Sequence, residues 1–247
     1  MSLGSHLKEL RNRLFWSAIF IFGGTVGGWF LYDPVFQILQ KPVLDLAASK
    51  NVDATLNIAT VAGAFDLQLQ VSIFLGVLMT SPIWIYNLWA FVTPGLKKRE
   101  KRYTLAFFFT ALPLFATGCL MAWFALPGFI TTLSSFAPNG TAYIINANEY
   151  ILFMLRILLV FGIAFILPVV LVMLNIAGFL SAASIIKSWR MAIFLVAVIA
   201  ALATPTADPM SMFLVMIPLL LLYFAAAGIT SLNDKRREKT NLNLEVA

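Results

Sequence analysis

Six stretches of this chain run almost free of formal charge, and together they leave room for very few folds. They cover residues 14–32, 71–93, 105–126, 151–176, 190–203 and 210–228. Most approach the ~20 residues that a helix needs to cross the hydrocarbon core of a bilayer. Of 247 residues, 61% are apolar and only 11% charged, against about 25% charged in an ordinary soluble domain. Such a chain can neither cover a soluble surface nor stay solvated as a disordered one. Backbone groups in lipid need internal partners, so each stretch must be a helix or a barrel strand. The runs are continuous, without period-2 alternation, which excludes the barrel. The expected fold is an all-α membrane protein of six transmembrane helices. It forms one polytopic domain over residues 1–247, with a basic tail over 233–247.

The cations sort to alternate connections. Lys8, Arg11 and Arg13 precede the first stretch, and Lys97, Lys98, Arg99, Lys101 and Arg102 follow the second. Lys187 and Arg190 follow the fourth, and Lys235, Arg236, Arg237 and Lys239 follow the sixth. These segments hold 14 of the 17 cations, leaving Lys41, Lys50 and Arg156. The positive-inside rule then expects both termini in the cytoplasm. The first stretch is about 19 residues long with no small-x-small site at its end, so it is expected to stay as a span rather than be cleaved as a signal peptide. Cys119 is the single cysteine, so no internal disulfide can form.

Residues 33–66 and 127–150 are expected as long outer connections, the first with Pro34 and Pro42, the second with the turn signal Pro138-Asn139-Gly140. Residues 204–209 are too few to let the fifth and sixth helices be anything but antiparallel neighbours. The run 191–203 has only 13 residues, about 20 Å of helix against the ~30 Å hydrocarbon core. Two readings stand level: a short helix that thins the bilayer locally, or a longer tilted helix beginning near Ile185. Pro82, Pro113, Pro168 and Pro218 fall inside spans and are expected to kink them into a cupped bundle. The pairs Gly23/Gly27 and Gly24/Gly28 are expected to admit another helix closely.

No Asp, Glu or Lys lies in the middle of a span, which weakens an ion-coupled or proton-coupled transporter. Arg156 is expected to snorkel toward the outer interface. His6 is the sole histidine and has no nucleophile at usable spacing, and no metal-ligand cluster is visible. No enzyme and no cofactor is expected, and the basic loops follow from topology rather than from a nucleic-acid partner. A small-solute permease stays as the rival reading, although only Thr, Ser, Asn and Gln are available at the depth of its substrate site.

Glu9 and Glu100 are acids embedded in basic segments, Lys8-Glu9-Leu10-Arg11-Asn12-Arg13 and Lys97-Lys98-Arg99-Glu100-Lys101-Arg102. On composition alone the plainer reading is internal neutralisation, such as Glu9 with Arg13 at i, i+4, worth about 0.3–0.5 kcal/mol. The other is a pair of carboxylates presented to a cationic ligand, where arginine offers bidentate geometry that lysine lacks.

Longer motifs decide between them. His6-Leu7-Lys8-Glu9-Leu10-Arg11-Asn12-Arg13-Leu14 resembles the HLxELRxRL opening of TatC, the multispanning subunit of the twin-arginine protein translocase. Ser81-Pro82-Ile83-Trp84-Ile85-Tyr86-Asn87-Leu88-Trp89-Ala90-Phe91-Val92-Thr93-Pro94-Gly95-Leu96, continuing to Glu100, resembles its SPxxxYQxWxFxxPGLxxxE signature. Pro113, Phe115, Gly118, Phe161-Gly162-Ile163-Ala164-Phe165, Pro168, Arg190, Thr204-Pro205, Asp208 and Ile217-Pro218 extend the likeness over nearly the whole chain.

The resemblance implies six helices in a concave, glove-like arrangement and a receptor for folded precursors with twin-arginine signal peptides. It also implies TatA and TatB type single-span partners, self-association, export driven by the proton-motive force, and a place in the bacterial cytoplasmic membrane. Carried over, Glu9 and Glu100 are the acids that accept the signal's arginines. Leu10, Arg11, Phe91, Pro94 and Gly95 shape that site, and Pro42, Ile166, Arg190 and Asp208 fall at loop or partner contacts. Three departures follow. Ile166 stands where an acidic or polar residue is usual, so a hydrogen bond there must be absent, displaced or supplied by a partner. Gln70 stands where a basic residue often begins the second span, and Thr206-Ala207 lengthens the turn before Asp208.

Overall fold

The structure, a computed structural model, describes residues 3–50, 55–92, 101–135, 144–204 and 209–245. It falls into two compact units. One comprises Met1–Phe108 with Trp123–Arg156, the other Phe109–Ala122 with Ile157–Ala247.

In the first unit, α1 (Leu3–Phe30) turns by 79° into α2 (Tyr32–Lys50). The connection expected over 33–66 thus contains a helix that its prolines and small polar residues did not announce. Pro34 sits in the first helical turn, where a missing N–H costs nothing. Leu39, Pro42 and Val43 fall at helical spacing and are buried. Strand β1 (Thr55–Asn57) follows, then α3 (Gly63–Met79) and α4 (Ser81–Val92), bent by 61°. That bend lies at Pro82, where a kink was expected. α5 (Lys101–Ser134) runs on past Pro127, beyond the end at residue 126 read from the sequence.

Helices α1 and α3 touch backbone to backbone. A Cβ on Gly76 would lie 2.6 Å from the Thr25 amide nitrogen and 2.8 Å from the Ile21 carbonyl, and one on Gly28 would lie 2.7 Å from the Ser72 carbonyl. Of the two glycine pairs on α1, Gly24 and Gly28 make this contact, while Gly23 and Gly27 have nothing within 4 Å. Strand β2 (Ile144–Asn146) pairs in parallel with β1, Thr55 opposite Ile144 and Asn57 opposite Asn146. The pair ties together the starts of α3 and α6 (Ala147–Ile176). There the Asp66 carboxylate accepts from Gln70 Nε2 at 2.7 Å and Asn148 Nδ2 at 3.4 Å, and the Tyr150 hydroxyl donates to the Leu39 carbonyl at 3.2 Å.

In the second unit, Gly118 and Gly162 let α5 and α6 cross closely: a Cβ on Gly118 would meet the Phe161 carbonyl at 2.6 Å. α6 ends in a Schellman-type turn, with Gly178 at φ 81° and the Phe179 N–H bonded to the Leu174 carbonyl at 2.9 Å. α7 (Ala182–Lys187) and α8 (Trp189–Ala203) are separate helices meeting at Ser188. A continuous helix from near Ile185 is therefore not formed. α8 holds 15 residues, about 22 Å at 1.5 Å each. α9 (Pro209–Glu245) continues as helix through the segment read as a tail.

Buried Asn175 is the hub of this end. Its Nδ2 donates to the Leu180 carbonyl at 2.9 Å and to Asp234 Oδ1 at 2.8 Å, and its Oδ1 accepts from Asn233 Nδ2 at 2.8 Å. Asp234 Oδ2 takes the Ala182 backbone N–H at 2.7 Å. Among the described residues, α5, α6 and α9 contain segments long and apolar enough to cross a membrane. The two bent pairs raise the number to five, and α8 is a shorter apolar helix.

Candidate functional site

The N-terminal half of α1 repeats at helical spacing: Leu10, Arg13, Leu14, Ser17 and Ile21 share one face. On α4 the same logic joins Trp84, Asn87, Leu88 and Phe91. The two faces line a groove of about 290 Å³. Its walls are apolar apart from one polar bridge, in which Asn87 Nδ2 donates to Ser17 Oγ at 3.0 Å and Ser17 Oγ donates to the Arg13 carbonyl at 2.9 Å. α4 is braced on another side by Trp89 stacked on Phe107, centroids 3.8 Å apart.

Glu9 lies one helical turn before Arg13. Arg13 Nε and Nη2 both donate to Glu9 Oε1, at 3.0 and 2.7 Å, so Oε2 stands outside the pair. The side chains are 26% and 27% exposed, so the carboxylate is partly withdrawn from water. This strengthens any charge-assisted bond made to it. The internal pairing foreseen for Glu9 is thus formed, and it sits at a groove.

The structure brings Glu9, Leu10 and Phe91 into one neighbourhood. Arg11 is exposed and does not line the groove. Glu100, Pro94 and Gly95 lie outside the described residues, in the segment joining α4 to α5. Asp208 lies outside them as well. Pro42 is buried within α2 of the first unit. In the second unit, Ile166 is buried in α6 and Arg190 is exposed at the start of α8, its guanidinium 5.5 Å from the Trp189 ring centroid. Arg156 is half-buried in α6, with no acidic partner among the described residues. Sequence reasoning missed the Ser17–Asn87 bridge and the groove role of Trp84. The 84/87/88/91 spacing was the available signal. Among the described residues, no three His, Cys, Asp or Glu side chains gather to hold a metal ion.

With that geometry in place, the likeness to known proteins is broad. The family model for TatC, Sec-independent protein translocase protein, matches residues 5–218. The Sec-independent protein translocase protein TatC of Xylanimonas cellulosilytica is 42% identical over 239 residues, covering 97% of this chain and 87% of that one. TatC of Rothia mucilaginosa is 40% identical over 97% of this chain and 82% of its own. TatCy of Bacillus subtilis is 30% identical over 98% and 93%. A crystal structure of the twin arginine translocase receptor TatC superposes with a TM-score of 0.81 at 30% identity, covering 92% of this chain and 98% of that one. A family match over most of the length, joined to agreement in fold, means that the chain belongs to the TatC family of Sec-independent protein translocase proteins.

Proposed function

We propose that this chain receives twin-arginine signal peptides, with Glu9 and Glu100 each binding one guanidinium group and the α1–α4 groove holding the apolar segment that follows. As a TatC-family member the chain is a multi-pass membrane protein and a core subunit of the twin-arginine translocase. The small-solute permease has no support among its relatives. The observation that carries the signal-peptide reading is the half-buried Glu9 carboxylate beside an apolar groove. A guanidinium arriving there meets Oε2 or displaces Arg13, and its planar fork suits a carboxylate better than an ammonium does. The cations around both acids weaken the attraction for generic basic peptides.

Six spans with both termini in the cytoplasm form part of this proposal, as does the bacterial cytoplasmic membrane. The alternation of cations along the sequence supports the topology. So does the β1–β2 pair, which sets the starts of α3 and α6 on one side. TatA and TatB type single-span proteins are the proposed partners, and a receptor needs no catalytic group. Pro94 and Gly95 are proposed to shape the site, with Pro42, Ile166, Arg190 and Asp208 at partner or loop contacts.

The test is Glu9→Gln together with Glu100→Gln. Each charge-assisted bond is worth about 1.5–3 kcal/mol, so photocrosslinking or direct binding of a twin-arginine signal is expected to fall at least ~100-fold. Undiminished binding by a folded double variant would overturn the proposal.

A further inference from the structure

We infer that the Trp84 indole N–H is the positioning group that holds α4 at its bend, and that this bond sets the groove in which the signal's apolar segment lies. The inference rests on the receptor reading above. The backbone ladder of α3 stops at Thr80, whose N–H returns to the Gly76 carbonyl at 3.1 Å, with its hydroxyl on the same oxygen at 2.7 Å. Pro82 has no N–H and cannot continue the ladder. In an unbroken helix the Val77 carbonyl would take the Ser81 N–H; here it receives Trp84 Nε1 at 2.9 Å, from seven residues further on.

That bond belongs to the bent state alone. In a straight α-helix residues 77 and 84 are about 10.5 Å apart along the axis, beyond the reach of an indole for a 2.9 Å contact. Folding α4 back by 61° brings the ring under the end of α3. A backbone carbonyl without a donor costs several kcal/mol in lipid; in the bent state the indole supplies the donor that the Val77 carbonyl would take from the Ser81 N–H in a straight helix, so the bond stabilises the bend. The same ring is a wall of the groove, with Asn87, Leu88 and Phe91 on the turns that follow. One side chain therefore closes the break and aligns the face that meets α1.

The experiment uses the full-length protein in nanodiscs. Trp84 is replaced by β-(3-benzothienyl)alanine, which puts sulfur in place of the N–H at nearly constant shape, and separately by Trp84→Phe. Spin labels at the exposed positions Leu69 and Tyr86, in a Cys119→Ser background, report the angle between α3 and α4. Two probes are bound: a full twin-arginine signal, and a short twin-arginine peptide without the apolar segment.

The expected result is a distance distribution at least twice as broad and about tenfold weaker binding of the full signal, with the short peptide unchanged. An unaltered distribution overturns the inference. So does a broadened one with full-signal binding intact while Glu9→Gln/Glu100→Gln still abolishes it. Equal losses for both probes mark general damage and overturn the positioning role. Binding indifferent to the Trp84 replacement and to the two glutamine substitutions overturns the receptor reading, and the positioning role with it.

Discussion

Gly76→Val is expected to force α1 and α3 apart and to destabilise the protein by about 3 kcal/mol. The new Cβ alone would stand 2.6 Å from the Thr25 amide nitrogen and hydroxyl and 2.8 Å from the Ile21 carbonyl. Two of these are backbone atoms of a continuous helix, so no rotamer change can relieve the clash. Helices in lipid lack a hydrophobic drive toward one another and rely on close packing, so a separation of even an ångström forfeits much of the contact. Gly28→Ala, facing the Ser72 carbonyl at 2.7 Å, is expected to follow in the same direction. Gly23→Ala should be neutral, because nothing lies within 4 Å of that position. Thermal denaturation of the purified proteins in one detergent ranks the three. Equal melting of Gly76→Val and Gly23→Ala would remove the proposed interface.

The second large effect is expected at Asn175. Replacing it by leucine deletes the bonds to the Leu180 carbonyl, Asp234 and Asn233 together. It also leaves the Asp234 carboxylate without one of its donors, for a total loss of about 3 kcal/mol. The consequence is local in a measurable way. Hydrogen exchange should accelerate over residues 175–185 and over the α9 segment after Asn233, ahead of the rest of that unit. Asn175→Asp sharpens the expectation, because it sets a second carboxylate where the amide now stands 2.8 Å from Asp234 Oδ1. Two like charges that close cannot both stay ionised at low cost. The variant should melt at least as early as Asn175→Leu in the same detergent. Uniform exchange in Asn175→Leu would show that Asn175 does not anchor the tail.

Much of this architecture was legible as composition and spacing. The helical class, the apolar segments and the break at Pro82 follow from the need to satisfy backbone groups in lipid and from a residue that cannot donate. The α2 helix was hidden because Pro34, Pro42 and small polar residues read as loop chemistry. Only the burial of Leu39 and Val43 against neighbours favours the helix, and burial is not a property of a single segment. The helical course of α9 through residue 234 was obscured likewise, since Asp234 earns its place from partners on α6 and α7. Gly24/Gly28 and Gly23/Gly27 are equivalent by spacing, and the position of α3 separates them. At the site, Glu9 stood out as an acid among cations and Phe91 as part of a long motif. The Val77–Trp84 bond had no local signal, since it exists only once the helix has bent.

The parallel β1–β2 pair carries a consequence for biogenesis. Thr55 leaves the ribosome long before Ile144, its partner, so this closure is a late event in synthesis. Three-residue strands are too short to hold each other unaided, and the loop between them carries an entropic cost. The clasp can shut only after the chain up to α6 has been inserted and brought alongside α3. Until then the peptide groups of β1 lack these strand partners.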